Sequence, residues 1–196
     1  LDLSNNQSLT SINCTYNNLT SLDLSKNTSL ANVTNAMIGN QSVSLKANFD
    51  GNMIVIPFEN SNLDNDNYVS STLEDYGDGS GFNFASFIAY DVSEIDGGIE
   101  YYCNTKLAGS ENMKVSVTVS RDFHQVSFYA DSENTSLIGR AFANDGQSVT
   151  APEIKNPPQC KVLDTWSDTL DNVTGDKSIY ANWKDAHSYS LSSFSN

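Results

Sequence analysis

The strongest constraint on this chain is a leucine pattern at its amino end. Leu9-x-x-Ile12-x-Cys14-x-x-Asn17 is followed by Leu19-x-x-Leu22-x-Leu24-x-x-Asn27, and a decayed third copy begins at Leu30-x-x-Val33-x-Asn35. The copies are spaced by ten and then eleven residues, so LDLSNNQSL at Leu1 returns as LDLSKNTSL at Leu22, 21 residues on. A period of about 20 to 29 residues closes one turn of a solenoid. In such a stack the leucines point inward and pile turn upon turn, while an Asn side chain hydrogen-bonds backbone groups where the chain bends. Cys14 stands at a leucine position and is expected to be a small buried apolar residue. The residues between the leucines alternate outward. Asn13, Thr15, Asp23 and Ser25 are therefore the candidate interaction face.

The nested L-x-x-L-x-L-x-x-N phrase resembles the leucine-rich repeat of the short bacterial type, with a 21-residue unit. That resemblance implies a surface-displayed binding array. Residues 1–41 hold about two turns, fewer than the three or so that such a stack needs. The chain opens mid-repeat and the pattern decays after Ala31, so this segment is expected to be the carboxyl-terminal end of a longer array.

Composition narrows the rest. Asn, Ser and Thr supply a third of the residues, and strong helix formers are sparse, which predicts a mainly β chain. Ten basic residues against 24 acidic ones, a formal charge of −14, cannot build the stripe that nucleic-acid phosphates require. No membrane span is expected either, because the longest apolar run, Met53 to Phe58, is strand-sized. Cys14, Cys103 and Cys160 are too few for a disulfide scaffold and lack zinc-site spacing, although a Cys103–Cys160 bridge stays open.

Residues 42–121 read as short β-prone runs between turn clusters: Met53 to Phe58, Phe82 to Tyr90, Ile99 to Cys103 and Met113 to Val119. Strict alternation in Lys114-Val115-Ser116-Val117-Thr118-Val119 marks a strand with one buried face, and Ile99 to Tyr102 pairs with it as a hairpin across Asn104 to Glu111. The segment resembles the immunoglobulin-like, β-sandwich cap of bacterial leucine-rich surface proteins. Asp64 to Asn67 and Asp75 to Gly79 offer hard oxygen ligands, but Val69 and Asp75 fall where a helix-loop-helix calcium site needs Gly and Glu. Those residues are also ordinary turn formers, so no metal or cofactor is expected.

Residues 122–184 open with His124 to Tyr129, turn at Asp145-Gly146, pass Val149-Thr150-Ala151-Pro152, a central Trp166 and Asn172-Val173-Thr174, and close on Ile179 to Trp183. This order resembles the internalin-type B repeat, or Listeria–Bacteroides repeat, a small β-grasp-like module. Gln159-Cys160 and Thr165 depart from its usual glycines and aromatic. Trp166 and Trp183 are expected in the core, since a domain of this size depends on its largest side chains. Residues 185–196, Ser-rich and aperiodic, read as a linker or tail.

Catalysis finds little support. His124 and His187 carry no partner motif, and there is no G-x-S-x-G elbow, phosphate loop or H-E-x-x-H helix. The resemblances together imply a non-catalytic extracellular segment of a bacterial surface protein, displaying and spacing other parts and engaging a protein or glycan on a host or neighbouring cell. The alternative is a carbohydrate-binding module serving an absent enzyme domain.

Overall fold

The computed structural model describes residues 1–30, 36–57, 68–73, 82–83 and 86–186. Fourteen strands and one short 3-10 turn appear among them, so the chain is mainly β. They fall into two compact units, residues Leu1–Asp122 and Phe123–Asn196.

In the first unit the amino end runs as coils joined by tight turns. Asn6 N–H donates to the Leu3 carbonyl (2.9 Å) and Leu9 N–H to that of Asn6 (3.0 Å). Twenty-one residues on, Asn27 N–H donates to Leu24 and Leu30 N–H to Asn27, both at 2.9 Å. Leu22, Leu24 and Leu30 are each 1% exposed, whereas Leu1 is 58% exposed. β1 (Ile12–Asn13) pairs in parallel with β2 (Ala36–Met37), Ile12 opposite Ala36. Beyond β1, Cys14 N–H reaches Met37 O (2.9 Å), Tyr16 N–H reaches Asn40 O (3.1 Å) and Ser42 N–H reaches Asn17 O (2.9 Å).

Two four-stranded sheets complete this unit. The first has the order β3 (Gln41–Lys46), β10 (Met113–Ser120), β9 (Ile99–Cys103), β6 (Tyr68–Ser71). The predicted hairpin of β9 and β10 is present, with Val115 opposite Tyr101, while β3 runs parallel to β10. The second has the order β4 (Asn48–Asp50), β5 (Met53–Pro57), β8 (Ser86–Ala89), β7 (Phe82–Asn83). Fully buried Ala47 carries the chain from β3 into β4, and the sheets meet where Phe87 packs on Tyr101, ring centroids 5.3 Å apart. Alternation explains β9, whose Ile99, Tyr101 and Cys103 are buried while Glu100 and Tyr102 are not. Gly98 precedes β9 at φ +80, and a Cβ there would lie 2.8 Å from the Val117 carbonyl oxygen, so the close approach of β10 requires glycine.

Coils and sheets share one interior. Leu24 N–H donates to Thr105 O (2.8 Å), and the buried Tyr101 hydroxyl donates to Thr20 O (2.7 Å). Gln41, with no exposed surface, donates through Nε2 to Cys14 O (2.8 Å) and Ile38 O (2.9 Å) and accepts from Leu19 N–H (3.3 Å). A buried amide satisfied on three sides pins the last coil to the start of β3.

The second unit is a single sheet of order β12 (Leu137–Asn144), β11 (Phe123–Tyr129), β14 (Lys177–Asp185), β13 (Lys161–Trp166). β11 and β14 are parallel and the outer pairs antiparallel. Val126, Phe128, Ala143, Val149, Val173 and Ile179 form its core. Trp166 packs edge-on against Phe128 at 5.0 Å, and Trp183 donates its indole N–H to Ala130 O (2.8 Å). Both tryptophans are half-buried at the margin of the core rather than enclosed within it, because a single sheet of this size leaves its largest rings one flank in water. β14 runs one residue past the expected end of the module, to Asp185, which pairs with Lys161 at 2.7 Å.

Candidate functional site

The proposed face separates into two local motifs. Asn13 Oδ1 accepts from Thr15 N–H (3.2 Å) and from the Thr15 hydroxyl (2.9 Å). Asp23 Oδ1 accepts from Ser25 N–H (2.8 Å), and Asp2 Oδ1 from Ser4 N–H (2.9 Å), again 21 residues apart. Each is a side chain closing a turn two residues on, the role short polar side chains play in bends. Among the described residues no hydrogen bond or ion pair joins the Asn13–Thr15 pair to the Asp23–Ser25 pair. Asp23 also meets Lys106 at 3.2 Å. The Ser25 bond, then the Lys106 charge, hold the Asp23 carboxyl below its usual range. Asn13, Asp23 and Ser25 are exposed and Thr15 is half-buried.

The sulfur groups are placed for packing. Cys14 (5% exposed) has its thiol pushed up by burial, and Cys103 (fully buried) has its thiol pushed up to about 12 by the same cause. A thiol so protonated is a poor nucleophile at neutral pH. Cys160 is exposed in the second unit, and all three are free thiols, so the Cys103–Cys160 bridge is not formed.

His124 Nε2 lies 2.9 Å from Asp145 Oδ1, and its Nδ1 lies 4.0 Å from Asp176 Oδ1. Asp176 is itself engaged, accepting from Gln125 N–H at 2.8 Å. The cluster ties the start of β11 to the turn after β12 and to the approach of β14. Among the described residues no group of three or more His, Cys, Asp or Glu could hold a metal ion, and no helix is long and apolar enough to cross a membrane. The acidic stretches Asp64 to Asn67 and Asp75 to Gly79, the third repeat copy at Val33 and Asn35, His187 and the tail beyond Ala186 lie outside the described residues.

Sequence reasoning did not anticipate a groove of about 460 Å³ in the first unit, between the bend at Ala36–Asn40 and the loop leading into β10. Thr15, Asn40, Ser110, Glu111, Asn112 and Lys114 are the polar residues of its lining. Gly39, at φ +60, forms part of its wall; a Cβ there would lie 2.6 Å from the Thr15 methyl. These residues come from three stretches of chain brought together by the coil–sheet junction, so no local spacing marks them. No family model, curated protein or solved structure matches this chain.

Proposed function

We propose that the chain is a non-catalytic display and protein-interaction segment of a bacterial cell-surface or secreted protein. In this reading residues 1–41 end a leucine-rich array, residues 42–121 are its immunoglobulin-like cap, and residues 122–184, which follow the cap in the chain, are an internalin-type B repeat that serves as a spacer. The observation that carries it is the Asn27 side chain. Fully buried, it donates from Nδ2 to Leu3 O (3.0 Å) and Asn6 O (2.9 Å), carbonyls 24 and 21 residues earlier. An asparagine bonding the previous turn at the repeat period is what the leucine pattern asks of its ninth position. The 21-residue recurrence of the Asp2–Ser4 and Asp23–Ser25 turns supports the same reading.

The partner is a protein or glycan on a host or neighbouring cell, since array units of this kind present exposed polar positions on a rigid support. The test is binding of the fluorescently labelled chain to cultured epithelial cells. Saturable binding that falls when the cells are first treated with protease or glycosidase is the expected result. Binding that neither saturates nor responds to either treatment refutes an interaction role.

A further inference from the structure

We propose that the groove beside Gly39 is a saccharide-binding site that takes one or two neutral sugar residues of a glycan. Its volume of about 460 Å³ falls in the roughly 300–1,000 Å³ range of small-molecule sites. The chemistry of the lining then selects among ligands. A sugar needs donors and acceptors interleaved over a short distance, with an apolar plane for its C–H face. Glu111 supplies a two-oxygen acceptor, and the Asn40 and Asn112 side chains each supply a donor and an acceptor. Glu111, Asn40 and Asn112 are exposed, and among the described residues none of their side chains is engaged in a hydrogen bond or ion pair. The Thr15 hydroxyl donates to Asn13 Oδ1 and keeps its lone pairs for a ligand hydroxyl.

The same lining disfavours an anion. The groove's cation, Lys114, is already held by Glu100 at 2.6 Å, and Glu111 repels negative charge. The missing Cβ of Gly39 lets the bend close directly against Thr15, fixing that side of the wall. The apolar plane falls to Tyr16, the chain neighbour of the lining residue Thr15 and not itself a lining residue. Tyr16 N–H is bonded to Asn40 O at 3.1 Å, its backbone is held at φ 54, and the residue is 89% exposed. A bulky residue in left-handed backbone, with no burial in return, is strain of the kind retained at binding sites. An exposed ring one residue from the groove lining is available as a stacking surface for a pyranose.

The inference does not depend on the coils belonging to a longer array. Its test uses the full chain, ¹⁵N-labelled, titrated separately with lactose, cellobiose, diacetylchitobiose and methyl α-mannoside. At least one sugar should shift amide signals confined to Thr15–Tyr16, Ala36–Asn40 and Gly109–Lys114. Glu111→Ala should then weaken that sugar about tenfold, the loss expected when a charge-assisted hydrogen bond is removed. Tyr16→Gly should weaken it too without lowering the melting temperature, because glycine takes φ 54 without strain. Silence with all four sugars, shifts lying elsewhere, or affinity unchanged in both variants would overturn the assignment.

Discussion

Replacing Asn27 by Ala tests whether the two amino-terminal coils are joined by side-chain amides or only by leucine packing. The amide has no exposed surface and donates to Leu3 O and Asn6 O at 3.0 and 2.9 Å. Each intramolecular hydrogen bond contributes about 1 kcal/mol net, and leaving a carbonyl without its donor costs about 1–3 kcal/mol where water is excluded. Leu3 is half-buried and Asn6 exposed, so water reaches part of what is vacated and the lower end of that range applies. Asn27 Oδ1 is buried without a partner, so its removal returns a little of the loss. The expected cost is about 2–3 kcal/mol, or about 30- to 150-fold in the local opening equilibrium. Asn6 is the built-in control: it occupies the equivalent position 21 residues earlier, is exposed, and its side-chain amide makes no hydrogen bond among the described residues, so Asn6→Ala should stay within about 0.5 kcal/mol. Both tryptophans lie in the second unit, so indole fluorescence does not report on this region. Hydrogen exchange read on peptides covering residues 1–30 does. Equal exchange in the Asn27→Ala and Asn6→Ala proteins would refute the amide bridge and leave leucine packing as what holds the coils.

Three further outcomes are expected from the geometry. The Asp23 carboxyl is held below its usual range chiefly by Ser25, so its contribution to stability is present above the unfolded value near 3.8 and is lost as pH falls through the lower folded value. Thermal melts from pH 5 to pH 2 should therefore fall more steeply in the native chain than in Asp23→Asn, and parallel curves would remove Asp23 from the account. Gly98→Ala should destabilise by about 2–3 kcal/mol in urea, combining left-handed strain with the clash on Val117 O, whereas Gly51→Ala, at φ +57 with open space around its Cβ, should cost about 1 kcal/mol; equal losses would show that β10 yields freely. Under native conditions Cys160 should react with a thiol reagent at once, and Cys14 and Cys103 only after unfolding, which mass spectrometry of labelled peptides decides.

What the sequence made legible was whatever a local period encodes. β9, β10 and β14 were readable because a strand with one buried face repeats every second residue, and β11 from its apolar and aromatic residues, although Gln125 to Phe128 are buried on both faces. β12 and β13 were not, since Leu137 to Asn144 and Lys161 to Trp166 are edge strands with long exposed or half-buried stretches and no clean alternation. The parallel partnership of β3 with β10 was beyond local reading, because it joins Gln41 to Val115 across the whole central segment. Gln41 itself looked like any polar residue near a boundary, yet it is buried and satisfied by three backbone groups that only the folded chain collects.

The candidate face shows the same limit from the other side. Outward alternation placed Asn13, Thr15, Asp23 and Ser25 near the surface, but position alone does not say whether a polar group is available. Asn13 and Asp23 close turns with their own neighbours, and Asp23 is further held by Lys106, so binding through them must compete with bonds that shape the coil. Glu111, Asn112 and Asn40 carry no such obligation among the described residues and converge with Thr15 on one hollow. Under the proposed binding role, recognition by this unit is expected at the junction of the last coil with the β9–β10 loop rather than along the coil face. A ligand there meets free polar groups without first breaking a turn, which costs about 1 kcal/mol for each hydrogen bond displaced.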